Sequence, residues 1–191
     1  MSILLLGLVL FLGVHSVRLV TEGARSRMIA RIGAGPWKGL YSLASIAGFV
    51  VLVWGFGLAR EQPVPLYAPP PSLRHLNALF TLAAFVLVFA AYPPNHIKRA
   101  IGHPMLAGVV VWSIGHLLAT GMLHDVVLFG AFLLWGVADF AVSRRRDRIA
   151  GTRKPDATWI GDAVTVALGV GAWALFAFSL HQRWIGVDPF A

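Results

Sequence analysis

Long uncharged runs alternate with short charged clusters along the chain. Ser2–Val17 carries no charge. Gly39–Ala59 lies between Lys38 and Arg60, His75–Ile97 between Arg74 and Lys98, and Ala100–His124 between Arg99 and Asp125. Val126–Val142 carries only Asp139, and Ala163–Gln182 lies between Asp162 and Arg183. A spanning helix needs roughly 17–25 mainly apolar residues, so the pattern predicts six spans. The remainder is short connections, with no room for a separate soluble domain. The expected fold is all-α: a polytopic integral membrane protein, a six-transmembrane-helix bundle forming one domain over residues 1–191.

Barrel strands do not fit this pattern. A lipid-facing strand alternates apolar and polar residues, whereas Val50-Val51-Leu52-Val53-Trp54 and Phe85-Val86-Leu87-Val88-Phe89 are continuous. In hydrocarbon the backbone must bond within its own segment, which a helix does alone. Pro93-Pro94 is expected to stop the third span. Pro104 suits the first turn of the fourth, with His103 at the N-cap position. Pro63, Pro65, Pro69, Pro70 and Pro71 make Glu61–Ser72 a stiff extended connector. No internal repeat is evident.

The cations fix an expected orientation. Arg18, Arg25, Arg27, Arg31 and Lys38 follow the first span, and Lys98 and Arg99 the third. Arg144, Arg145, Arg146, Arg148, Arg153 and Lys154 follow the fifth, so thirteen of the 16 basic residues lie in these three connections. The positive-inside rule places those connections in the cytoplasm and both termini outside (N-out/C-out). No basic segment precedes the first run, so a retained span is expected, not a cleaved signal peptide.

Composition agrees: 58% of residues are hydrophobic and 13% charged, against roughly 45–50% and about 25% in soluble domains. The net charge of +8 is a topology signal, so no nucleic-acid partner is expected; the lipid bilayer is the expected surrounding. The chain has no cysteine, which excludes disulfides, iron–sulfur clusters, thiolate haem ligands and cysteine zinc sites. Gly48 and Gly55, and likewise Gly108 and Gly115, fall seven apart. Such spacing allows close helix contact, but glycine is common in membrane helices anyway, and that plainer reading is preferred.

Polar groups at membrane depth are candidates for function, because lipid makes them costly. His15 lies toward the inner end of span one and His116 past the middle of span four. Either could bind iron, bond across helices or transfer a proton; the plainer alternative is a bond to a neighbouring hydroxyl. From helix rise, the two lie about 11 Å apart along the membrane normal. That offset permits one haem between both side chains and does not require it. Asp139 and Asp162 face the inner boundary, where pairing with the nearby arginines is preferred over a proton path. In Asn95-His96-Ile97-Lys98-Arg99 through His103-Pro104, two histidines and two cations flank a helix start. That suits an anion such as a propionate or phosphate, and equally a loop obeying the positive-inside rule. His75, His124 and His181 are expected at the outer interface.

Phe11-Leu12-Gly13-Val14-His15-Ser16-Val17-Arg18, Asn95-His96-Ile97-Lys98, Gly102-His103-Pro104 and Trp112…His116-Leu117-Leu118-Ala119-Thr120-Gly121 resemble the NnrU family over nearly the whole chain. The resemblance implies a bacterial inner-membrane protein linked to nitrite and nitric-oxide metabolism in denitrification, beside nitrogen-oxide reductase machinery. A plant relative, zeta-carotene isomerase, is a haem-dependent enzyme isomerising a carotenoid double bond. Its haem histidines fall at His15 and His116, and a cysteine of that enzyme falls at Ser113, which cannot act as a thiolate. The implied cofactor is haem b, with His15 and His116 as metal ligands and His96, His103, Lys98 and Arg99 as further cofactor-binding candidates. The alternative is a haem-dependent cis–trans isomerase of a lipophilic, isoprenoid-like small molecule. A non-enzymatic accessory role is a further reading. Gly102-His103-Pro104 is also similar to membrane methyltransferases, although Gly102 replaces their arginine and Leu106 their tyrosine.

Overall fold

The computed structural model describes residues 1–190. Its elements are α1 (Ser2–His15), α2 (Val17–Val20), α3 (Glu22–Ile32), α4 (Ala34–Arg60), α5 (Ser72–Phe89), α6 (His96–Ile101), α7 (Pro104–Ala119), α8 (Leu123–Ala150) and α9 (Trp159–Leu175). A π-helical turn (Phe176–Leu180) and α10 (His181–Ile185) complete the order. Among the described residues there is no strand, only a bridge between Pro65 and Met122.

Four segments are long and apolar enough to cross a membrane: Ala34–Arg60, Ser72–Phe89, Leu123–Ala150 and Trp159–Ile185. The 27 residues of α4 and 28 of α8 reach about 40 Å, beyond a hydrocarbon core of roughly 30 Å. The apolar helices α1 and α7 have 14 and 16 residues, or about 21 and 24 Å.

Every expected run carries an apolar helix, but several ends differ. The first stops at His15, where Ser16 turns its hydroxyl back to Leu12 O at 2.7 Å. The third ends at Phe89, ahead of Pro93-Pro94. The fourth starts at Pro104, with His103 at its N-cap. Gly102, at φ 83°, takes the left-handed backbone that separates α6 from α7. The fifth continues through the arginine run to Ala150. Glu22–Ile32, expected as loop, is helical.

The residues group into two compact units. The first comprises Met1–Leu66 and Met122–Ala131. Its core is a seam between α1 and α4. Gly48, Leu52, Gly55 and Ala59 are the buried residues of α4, and their spacing puts them on one helical face. A Cβ on Gly48 would meet Phe11 N at 2.9 Å. One on Gly55 would overlap the backbone of Ile3 and Leu4, and one on Gly7 that of Leu52. The glycines therefore set how closely the backbones approach. Lipid gives no hydrophobic drive for helices to associate, so close packing must supply it. Large apolar side chains that miss the seam, such as Leu6, Val9, Leu43, Ile46 and Trp54, are exposed, as lipid-facing positions require.

The second unit comprises Tyr67–Gly121 and the chain from Phe132 onward. Here α5 packs on α7 and α9. A Cβ on Gly108 would meet Ala84 O at 3.0 Å, one on Gly115 would meet Phe80 Cβ at 2.6 Å, and one on Gly169 would meet Val86 Cα at 2.7 Å. The paired glycines of α4 and α7 are thus packing surfaces, against the preferred sequence reading. Asn95 is fully buried; it donates to Ala90 O at 2.8 Å and Pro93 O at 2.7 Å and accepts from Lys98 N at 2.7 Å. It closes the turn that links α5 to α6.

The α1–α4 seam makes a direct prediction. Gly55→Val should cost about 1–3 kcal/mol, as overpacking does, and lower the thermal unfolding midpoint in detergent. Gly57→Ala, where a Cβ meets nothing within 4 Å, should leave it unchanged. Equal midpoints for the two variants would refute the seam.

Candidate functional site

In the first unit, a cavity of about 430 Å³ opens beside the end of α1. His15, Arg18, Arg25, Trp37, Lys38 and Tyr41 are among its walls. His15 Nδ1 lies 2.7 Å from Phe11 O, one helical turn back. A carbonyl only accepts, so Nδ1 carries a proton; in the neutral ring the lone pair is then on Nε2. The ring packs on Phe11 at 4.3 Å and edge-on to Tyr41 at 5.6 Å. Glu22 serves two cations, Arg25 at 3.0 Å and Arg18 at 3.5 Å.

In the second unit, a cavity of about 130 Å³ is bordered by His116, His181, Asn77, Thr81, Trp112 and Trp173. His116 repeats the arrangement at His15: Nδ1 donates to Trp112 O at 2.9 Å, one turn back. His181 Nδ1 donates to Val187 O at 2.7 Å. Trp173 Nε1 donates to Thr81 Oγ1 at 3.1 Å. Asn77 Oδ1 is buried without a hydrogen-bond partner. The π-helical turn Phe176–Leu180 immediately precedes His181. Such a turn inserts an extra residue into the helix and rotates the next side chains to a new direction, and Phe176 meets the His181 ring edge-on at 5.7 Å. An adjoining cavity of about 250 Å³ has only apolar walls, among them Ala84, Val88 and Gly108, and shares Phe85 and Trp112 with the first.

The densest polar stretch is engaged by the chain's own carboxylates. The His96 backbone N–H donates to one Asp162 oxygen at 2.7 Å, and ring Nδ1 lies 2.6 Å from the other. The ring also stacks on Trp159 at 4.6 Å. His103 Nε2 lies 2.9 Å from Asp147. Lys98 Nζ donates to Ala91 O at 2.7 Å, and Arg99 is exposed. Thus Asp162 supplies an anion at the start of α6. Its partner is His96, not the arginine cluster expected from sequence. Asp139 does reach that cluster, through Ser143: Ser143 Oγ donates to Asp139 at 3.0 Å and accepts from Arg146 at 3.3 Å.

Other placements were not foreseen. Ser113 is fully buried and donates to Val109 O at 2.9 Å. His124, expected at the interface, is buried edge-on against Phe56 at 5.4 Å, with Nε2 3.6 Å from Asp125. His75 is exposed. His181 and Asn77 join His116 at one cavity. Asn77 interrupts an apolar run, a signal the sequence carries; the direction of His181, expected only at the outer interface, depends on the π turn. Among the described residues, no three His, Asp or Glu side chains converge as a metal site.

The model of the NnrU family, described as NnrU protein, matches residues 3–189. No curated protein and no solved structure matches the chain. That match covers nearly the whole chain, including both histidine-lined cavities, and the chain belongs to the NnrU family.

Proposed function

We propose that this NnrU-family protein is a haem-b protein of the bacterial inner membrane, acting in nitrite and nitric-oxide metabolism beside nitrogen-oxide reductases. The observation that carries the reading is the shared state of His15 and His116. Each ring donates Nδ1–H to the carbonyl one turn back, at 2.7 and 2.9 Å. A histidine so oriented is set up to ligate through Nε2.

The residues fit the cofactor at the level of donor chemistry. His15 borders a cavity of about 430 Å³, within the roughly 300–1,000 Å³ of small-molecule sites. His116 borders a smaller cavity, of about 130 Å³, with Trp112, Trp173 and Phe176 among its walls. Bound haem would supply electron transfer or ligand binding at iron. The protein's part is to hold the two rings in one tautomer and exclude water. His96 and His103 would instead act structurally, through Asp162 and Asp147.

The second reading, isomerisation of a lipophilic isoprenoid-like molecule, is favoured by the wholly apolar cavity beside His116. Its walls offer a chain-shaped substrate no polar group to desolvate. In both readings the chain crosses the membrane six times, with both termini outside. The thirteen cations of the first, third and fifth connections support that orientation.

Two measurements test these proposals. Protein purified after haem-replete expression should show a Soret band. His15→Ala and His116→Ala should each reduce or shift it while keeping helical content. A wild type without the band refutes the haem reading. For topology, the cysteine-free chain permits single-cysteine labelling. Ser26→Cys and Thr152→Cys should react only from the cytoplasm, and Gln62→Cys and Val187→Cys only from outside. The reverse pattern overturns the orientation, and mixed labelling within either pair overturns the six-span assignment.

A further inference from the structure

We propose that the mouth of the His15 cavity binds the phosphate head of an anionic phospholipid, held by Arg18, Arg25 and Lys38. The inference rests on the chain lying in a membrane and not on haem.

Charge is the first support. Before Glu61 the sequence has one acid, Glu22, against Arg18, Arg25, Arg27, Arg31, Lys38 and Arg60. Glu22 is shared by Arg18 and Arg25, so the pair keeps a net positive charge. Lys38 adds another at the same cavity. A phosphodiester monoanion whose headgroup carries no cation matches the sign of that surplus, and arginine can bond two of its oxygens at once.

Placement is the second. The cavity lies where α1 ends and α4 begins, between two apolar helices, with Trp37 and Tyr41 in its wall. Tryptophan and tyrosine favour the headgroup level of a bilayer. The third support is α3. Its Met28 and Ile32 are exposed, as is Val20 of α2. Met28 and Ile32 are one helical turn apart, with Arg27 and Arg31 adjoining them. A helix with exposed apolar side chains beside cations suits the boundary between acyl chains and headgroups. Basic pockets beside membrane helices on the cytoplasmic side recognise acidic lipids for these reasons.

The test is native mass spectrometry of the full chain, delipidated and then offered phosphatidylglycerol or phosphatidylcholine. Wild type should retain phosphatidylglycerol in preference. The triple variant Arg18→Gln/Arg25→Gln/Lys38→Gln should lose roughly tenfold in that preference. Arg145→Gln/Arg148→Gln/Arg153→Gln removes as much charge elsewhere and should keep it. Unchanged circular dichroism verifies that each variant folds, and Lys38→Arg should retain wild-type binding. Equal retention of both lipids by wild type overturns the proposal, as does equal loss in the two triple variants. Displacement by excess glycerophosphoglycerol, which has the head without the chains, would assign a soluble phosphate ester and overturn the lipid assignment. A triple variant that loses a Soret band without changing lipid preference would assign the cations to haem propionates and likewise overturn it. Absence of any Soret band leaves this lipid measurement intact, so the two proposals fail separately.

Discussion

An apolar surrounding offers polar side chains no water, and this constraint governs how the hydroxyls and imidazoles within the apolar helices are bonded. The cheapest partner is the carbonyl one turn back in the same helix. Ser16 uses Leu12 O, Ser113 uses Val109 O and Thr120 uses His116 O. His15 and His116 do the same with Phe11 O and Trp112 O. For a hydroxyl this bond is merely satisfaction. For an imidazole it also selects a tautomer, because the proton must sit on the nitrogen that meets the carbonyl. A structural requirement thereby becomes a chemical property: in their neutral form both rings hold the lone pair on the same, distal nitrogen.

Helix association answers to the same surroundings. With lipid as apolar as leucine, contact must come from fit. Within the first unit, Gly7 of α1 and Gly48 and Gly55 of α4 bring two backbones together. Within the second, Gly108 and Gly115 do so for α7 against α5, and Gly169 for α9 against α5. His15 and His116 stand on helices held in this way, so their positions are set by backbone contact and not by long flexible side chains.

The helical class and the approximate runs were legible because apolar patterning depends on local sequence. The ends were less so. The serine at position 16, the positive φ of Gly102 and the helicity of α3 each depend on geometry that hydropathy does not encode. At the candidate sites, the sequence singled out His15 and His116 because they interrupt apolar runs. It could not show that His181 turns toward His116's cavity, since a π turn decides that. Nor could it pair His96 with Asp162, 66 residues apart, or identify the glycines at 48 and 55 as contact surfaces instead of ordinary membrane-helix glycines.

The acids explain why the cations do not all have the same role. Near the third and fifth connections, Asp162 and Asp147 meet His96 and His103, while Asp139 reaches Arg146 through Ser143. The carboxylates there tie segments of the second unit together. In the first unit Glu22 faces two arginines alone, and Lys38 borders the same cavity. Charges that fix membrane orientation need only lie on the correct side. Charges gathered around a cavity with too few acids also create a local demand for an anion. The two requirements are independent, and only the first is visible from counting basic residues along the chain.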